Sequence, residues 1–112
     1  MATATGTLAF EPALKIWKGL LDIAAEKQVH KILVNALAVD GTLSTTERYQ
    51  HAVQLTGHLQ QLQFNPRVAI VGVPPALDGF GVRVAQNRDV CVELFPSVEE
   101  ALSWLARWPT PS

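Results

Sequence analysis

The sequence has few charged residues, no surplus of basic over acidic side chains and a single cysteine. Charged residues make up 17% of the 112 positions, against roughly 25% in a typical globular chain. Nine Lys and Arg nearly balance ten Asp and Glu, so we do not expect the chain to neutralise the phosphates of a nucleic acid. Because 48% of the residues are hydrophobic, an intrinsically disordered chain is also excluded. The length is that of one domain.

The lone Cys91 excludes a disulfide framework and a cysteine-rich zinc site. The first residues lack the basic and apolar regions of a secretory signal, and no stretch approaches the ~20 apolar residues of a membrane span. We therefore expect a cytoplasmic protein with no membrane span, no cofactor and no nucleic-acid partner.

Strand-like and helix-like segments alternate along the chain. Strands are predicted for a β-compatible first segment and for three apolar runs of the buried type, at Thr3–Phe10, Lys31–Leu37, Arg67–Val73 and Val90–Phe95. Helical spacing of apolar residues predicts four helices that begin near Pro12, Ser44, Leu77 and Ser97. The order β-α-β-α-β-α-β-α indicates a parallel sheet with right-handed crossovers.

Two of the predicted helices carry the spacing of a capping box at their start. In Ser44-Thr45-Thr46-Glu47 the Ser hydroxyl can accept from the Glu amide while the Glu carboxylate accepts from the Ser amide. Ser97 and Glu100 repeat this spacing. We predict one α/β domain over residues 1–108 and a disordered tail over 109–112, where two of the four residues are proline.

Several stretches together resemble the small bacterial STAS-like proteins, whose fold is similar to that of anti-sigma factor antagonists. The resemblance covers about residues 5 to 107, and the segments that carry it are Ile32–Asn35, Gly41–Tyr49, Arg67–Gly72, Val84–Arg88 and Phe95 with Glu99–Leu105. It implies a single STAS-like domain with a four-stranded, mostly parallel sheet and four helices, and it leaves an antiparallel first strand open.

The resemblance also implies a function. The best-known members of the wider superfamily are phosphorylated protein-interaction modules, with a Ser or Thr phosphoacceptor at the start of the helix that follows the central strand. That position falls near Asp40–Thr46 here, which makes Ser44 the phosphoacceptor candidate. The Asp-Ser-Ser-Gly pattern of those proteins is replaced by Asp40-Gly41-Thr42-Leu43-Ser44.

The carboxyl ends of the predicted strands form a candidate binding edge, because open parallel sheets bind ligands there. Helix starts favour anions. Eight residues are candidates for binding a partner or an anion: Asp40, Gly41, Ser44, Thr45, Thr46, Arg48, Asp78 and Arg88. Each also has a structural interpretation, in which Ser44 and Asp78 cap helices and Arg88 satisfies the last carbonyls of one.

The sequence offers no nucleophile–base pair, metal-ligand set or cofactor motif, so we expect no enzymatic activity. The leading hypothesis is a regulatory or protein-interaction module that uses the loop and start of the second helix, with an unidentified protein partner. The alternative is a protein that binds a small anion or a lipid-like molecule. Exposed tryptophan and the open edge beside the first strand also predict a homodimer.

Overall fold

All four strands are parallel and lie in the sheet in the order in which they occur along the chain, 1-2-3-4. The structure is a computed structural model that describes residues 2–74, 77 and 79–108. Its elements confirm the predicted alternation: β1 Ala2–Thr7, α1 Phe10–Glu26, β2 Lys31–Asp40, α2 Thr45–Leu62, β3 Arg67–Val71, α3 Phe80–Gln86, β4 Cys91–Phe95 and α4 Val98–Leu105. The predicted tail, 109–112, lies outside the described residues.

The option of an antiparallel first strand is wrong. In β1, Thr3 pairs with Asn35 and Thr7 with Asp40, in parallel register. The physical reason is the long connection between the two strands. Helix α1 carries the chain back to the starting end of the sheet before β2 begins, which is the crossover that a parallel pair requires.

The handedness of the crossovers decides which face each helix covers. Right-handed connections between strands laid down in one direction all pass over the same face of the sheet. Helices α1, α2 and α3 accordingly pack on one face, in a core of seven buried residues: Leu21, Ala24, Ile32, Val34, Leu59, Val68 and Val92. Helix α4 is not a crossover, and it packs on the opposite face with Leu33, Ala69, Val71, Ala101 and Leu105.

The apolar runs of the central strands follow from this two-sided burial. Ile32 and Val34 face the helices α1–α3, while Leu33 between them faces α4, and all three are at most 6% exposed. A strand covered on both faces has no solvent side for polar residues. Much of the apolar share of the composition is thus explained by the architecture.

Two tryptophans of the C-terminal segment pack against the sheet. The Arg67 guanidinium lies 4.5 Å from the ring centroid of Trp108, and the Lys31 amine donates to the Trp108 carbonyl. Trp104 contacts both Trp108, at 4.8 Å between centroids, and Phe95, at 5.5 Å. Both tryptophans are therefore half-buried within the domain.

Some boundaries differ from the sequence prediction. Helix α1 begins at Phe10, two residues before Pro12; the proline is tolerated because amides of the first turn have no helical acceptor. The first strand accordingly ends at Thr7 and not at the predicted Phe10. Helix α3 begins only at Phe80, after Gly79 at φ +87°, and is shorter than predicted. No helix among the described residues is long and apolar enough to cross a membrane.

The predicted caps at Ser44 and Ser97 are present, whereas the N-cap of α3 is Gly79 and not the predicted Asp78. Ser44 Oγ accepts from the Glu47 amide at 3.1 Å, and the Glu47 carboxylate accepts from the Ser44 amide at 3.0 Å. At α4, Ser97 Oγ accepts from the Glu100 amide at 3.3 Å, but the Glu100 carboxylate accepts from the Ser97 hydroxyl rather than from its amide. Only α2 therefore begins with a complete capping box.

Removing the Ser44 hydroxyl tests this cap. We expect Ser44→Ala to lower the free energy of unfolding by about 1 kcal/mol, because the Glu47 amide loses its acceptor. Ser44→Asp, whose carboxylate can accept the same bond, serves as the control and should stay close to the parent. Urea unfolding followed by circular dichroism measures both. Equal losses in the two variants would contradict the capping role.

Candidate functional site: a cavity under helices α1, α2 and α3

A partly enclosed cavity of about 160 Å³ lies between the sheet and the three helices on its first face. Its floor is formed by the inward residues of β3 and β4, including Val68, Ile70 and Val92. Its walls come from the three helices and from the loops after β1, β2 and β3. Apart from Arg48, His51, Thr56 and two glycines, the lining residues in the described part of the chain are all apolar.

The space exists because the helices present small side chains to it. Ala13 of α1, Ala52 of α2 and both Gly81 and Ala85 of α3 line the cavity. Helix α2 packs against α1 on one side and α3 on the other, so its separation from the sheet is set by its neighbours as well as by its own side chains. Small residues then leave volume that larger ones would fill.

One end of the cavity is closed by leucines from the loops at the carboxyl edge of the sheet, Leu8, Leu43 and Leu77. The placement of Leu77 depends on Gly72, just after β3. A Cβ at position 72 would lie only 2.3 Å from the Leu77 Cδ1, closer than carbon atoms approach in proteins. The glycine therefore allows Leu77 to lie against the end of the strand.

Two basic side chains line the same end of the cavity, one helical turn apart at the start of α2. Arg48 donates to the Thr42 hydroxyl. His51 donates from Nε2 to the Phe10 carbonyl at 2.9 Å, and its ring packs on that of Phe10 at 4.8 Å between centroids. These contacts attach the start of α2 to the loop before it and to the start of α1. Among the lining residues that the structure describes, Arg48 carries the only permanent charge.

Further along α2, Thr56 is one of the lining residues, and its buried hydroxyl has no hydrogen-bond partner. Thr56 is 4% exposed and is the one polar residue among the buried side chains of the core. Its Oγ1 and the Arg67 Nε are the two buried side-chain polar atoms that lack a partner in the described part of the chain. Leaving a buried hydroxyl unpaired costs about 1–3 kcal/mol.

The cavity-facing residues of α2 follow helical spacing. Arg48, Ala52, Thr56 and Leu59 recur every three or four residues, so they form one stripe on the helix. Arg48 and Thr56 are two turns apart, which corresponds to about 12 Å along the axis. The stripe thus has a cationic residue, Arg48, at the carboxyl edge of the sheet and uncharged residues further along the helix.

The volume of the cavity sets the size of a molecule that it could hold. A dry protein cavity of about 150 Å³ is large enough to bind benzene. The cavity described above, at about 160 Å³, is of the same size, so a group of about six carbons fits.

The candidate residues at the end of β2, in the following loop and at the start of α2 lie near the end of the cavity that Arg48 lines. Asp40 ends β2, and its carbonyl accepts from the Leu8 amide at 2.8 Å. Gly41 has φ +78°, a conformation that favours glycine. Ser44, Thr45 and Thr46 are exposed at the start of α2. Of the seven candidates that the structure describes, only Arg48 lines the cavity itself.

The remaining two candidates lie further along the chain. The Arg88 guanidinium donates to the Tyr49 hydroxyl at 3.4 Å, which links the segment after α3 to the residue beside Arg48. Asp78 lies outside the described residues. The part of the chain that the structure covers contains no cluster of three or more His, Cys, Asp or Glu side chains that could hold a metal ion.

Sequence reasoning missed Thr56, His51 and Trp17 as lining residues of a cavity. Thr56 was a signal of its own, since it is a polar residue at helical spacing between Ala52 and Leu59. At the start of the same helix Tyr49 is 41% exposed, and Arg48 lines the cavity. Small residues at 13, 52, 81 and 85 gave no signal, because a void depends on packing across several elements.

No protein-family model matches the chain, and no curated protein or solved structure shows significant similarity to it. The STAS-like resemblance therefore remains a hypothesis about this chain.

Replacing Thr56 by valine tests whether its hydroxyl is unpaired. The two side chains have nearly the same shape and similar helix propensity, so we expect Thr56→Val to raise the free energy of unfolding by about 1 kcal/mol by removing the unpaired group. Thr56→Ser keeps the hydroxyl, loses a methyl and should lower stability by about 1 kcal/mol. Urea denaturation measures both. A valine variant less stable than the parent would show that the hydroxyl is bonded in the folded protein.

Proposed function

We propose that this protein binds a small amphiphilic molecule in the cavity between the sheet and α1–α3, and that its role is binding rather than catalysis. The observation that carries the proposal is the combination of an apolar cavity of about 160 Å³ with few polar groups on its wall. Ligand sites typically have this composition, in which apolar surface supplies affinity and a small number of polar groups fixes orientation.

The charge at one end favours an anionic headgroup. Arg48 lies where the cavity meets the loops of the carboxyl edge, and the exposed start of α2 lies beside it. Cations and helix starts both stabilise negative charge. An apolar tail would occupy the cavity while a carboxylate or similar group stays near Arg48 and solvent. Such a molecule falls within the alternative hypothesis of a protein that binds a small anion or a lipid-like molecule.

Two probes with the same six-carbon chain test this function. We expect both 1-hexanol and hexanoate to shift the indole signal of Trp17, a lining residue, in ¹⁵N-resolved NMR spectra. Trp17→Phe identifies that signal among those of the three tryptophans. Hexanoate should bind more tightly at low salt, and added NaCl should weaken its binding but not that of the alcohol.

A variant that fills the cavity provides the decisive comparison. Ala52→Leu should abolish binding of both probes while stability is kept or raised, because the larger side chain occupies apolar space. Gln60→Leu, which adds the same side chain at an exposed position of the same helix that does not line the cavity, should bind like the parent. Failure of both probes to shift Trp17 in the parent would overturn the proposal.

A STAS-like interaction module is the second candidate function. It is supported by the exposed residues Ser44, Thr45 and Thr46, which lie together at the start of α2. Two observations weigh against a close correspondence. The first strand is parallel to its neighbour, whereas the resemblance left an antiparallel strand open. The Ser44 hydroxyl already accepts a hydrogen bond from the Glu47 amide, so phosphorylation of Ser44 would compete with the helix cap.

The edge strand β1 supports self-association as the simplest form of such an interaction. β1 lies at one side of the sheet, and Ala2–Thr7 contains neither charge nor proline, the features that discourage edge pairing. The pairing of β1 with β2 is irregular near Leu37, where β2 carries one extra residue and the register shifts. The Leu37 amide there donates to Asn35 Oδ1 at 3.1 Å. The Leu37 residue is 45% exposed.

Analytical ultracentrifugation tests pairing through this edge. We expect a dimer for the parent and a monomer for Thr5→Lys, because a lysine in the middle of the strand would bring like charges together across the twofold axis. Ser103→Lys, at an exposed position of α4, is the control and should remain dimeric. A monomeric parent protein at high concentration would contradict the proposal without affecting the cavity.

A further inference from the structure

We infer that a second copy of this chain covers the outer side of α1, in an antiparallel pair of α1 helices that shares a twofold axis with paired β1 strands. This inference rests on the self-association through β1 proposed above and is independent of ligand binding in the cavity. It identifies a further surface of that contact and its register.

The starting observation is an apolar stripe on the outermost helix of the layer. Helix α2 packs between α1 and α3, so α1 lies at the end of its layer, where β1 is the edge strand. Ile16 and Ile23 of α1 are 67% and 54% exposed, and they are two helical turns apart. Because the half-buried Leu20 lies between them, the three residues form one stripe on the helix.

The contacts of α1 within the chain show which way this stripe faces. Asp22 Oδ1 lies 2.7 Å from His58 Nε2 of α2, which marks the side of α1 toward α2. Leu21 and Ala24 are buried in the core between helix and sheet. Since each residue turns an α-helix by about 100°, Leu20 lies about 160° around the helix from Asp22. The stripe centred on Leu20 therefore faces away from α2, on the side where the edge of β1 is open.

Pairing of β1 with the β1 of a second copy would bring the two stripes together. The core that α1 joins includes Ala2 of β1 and both Ile32 and Val34 of β2, so α1 lies over these two strands. A point midway between them is about 5 Å, one strand spacing, from a twofold axis beside β1. The two α1 axes would then be about 10 Å apart, which is the spacing of packed helices.

The stripe is complementary to itself in the antiparallel direction. When two α1 helices meet between positions 19 and 20, Ile16 of one copy lies level with Ile23 of the other, and Leu20 lies level with Gly19. A Cβ at Gly19 would meet nothing within 4 Å, so the surface there has room for a side chain of the second copy.

The charges beside the stripe favour the same arrangement. Lys15 and Lys18 lie in the first half of α1, and Asp22 and Glu26 lie in the second half. In the antiparallel pair, the exposed Lys15 lies within one turn of Glu26 of the second copy, and the symmetry forms this pair of opposite charges twice. A parallel pair would place like charges level with each other. This charge complementarity identifies a second copy of the chain as the occupant.

A lysine on the stripe tests whether α1 belongs to the contact. In sedimentation equilibrium, we expect Ile16→Lys to raise the dissociation constant of the dimer about a hundredfold, because each dimer would bury two lysines in place of two isoleucines. Leu102→Lys is the matched control, since Leu102 is also apolar and 54% exposed but belongs to α4 on the opposite face of the sheet. It should dimerise like the parent. Circular dichroism checks that both variants are folded.

Disulfide cross-linking tests the register. In a Cys91→Ser background, the Ile16→Cys and Ile23→Cys proteins are oxidised separately and as a mixture. We expect a covalent heterodimer in the mixture. Neither protein should cross-link on its own, because two copies of position 16 or of position 23 would be about 10 Å apart along the helix axis, beyond the Cα separation that a disulfide spans.

The outcomes separate this inference from the proposals on which it rests. If Thr5→Lys is monomeric while Ile16→Lys dimerises like the parent, the inference is wrong and pairing through β1 stands. Cross-linking of the Ile16→Cys protein with itself would also overturn the inference, because it indicates a different register. If the parent protein is monomeric at high concentration, self-association fails and the inference fails with it, while ligand binding in the cavity is unaffected.

Discussion

The handedness of β-α-β crossovers is the constraint on which the rest of the structure depends. Because the strand order never reverses, right-handed connections place α1, α2 and α3 on one face of the sheet. Only α4, which follows the last strand, covers the other. A doubly wound sheet would form a crevice where its strand order reverses. The strand order of this sheet never reverses, and its cavity lies between the sheet and the layer of helices.

The layer of three helices then explains how a cavity and an unpaired hydroxyl coexist with a stable core. Most of the inner surface is closed by Leu21, Leu59 and Val68, while alanines and glycine on the facing helices leave a gap toward the carboxyl edge. Thr56 borders that gap. A valine would fill nearly the same volume without burying a hydroxyl that lacks a partner.

The sequence predicts the helices and strands better than it predicts the cavity between them. Ser44 and Glu47 specify the start of α2 through local chemistry, and the apolar run through Ile32 and Leu33 specifies a strand buried on both faces; the structure confirms both. Burial of Trp104 and Trp108 against the sheet depends on contacts far apart in the chain, so no local pattern indicated it. The cavity depends on five elements at once, and periodicity within each of them carries no information about their separation.

Crystals of the protein pressurised with xenon provide the most direct test of the central claim, which is that an apolar cavity open to small molecules lies under α1, α2 and α3. Xenon enters dry apolar cavities of about this volume. We expect a single strong xenon peak between Ala52, Thr56 and Ile70. Electron density showing this space filled by the side chains around it, with no xenon bound there, would contradict it.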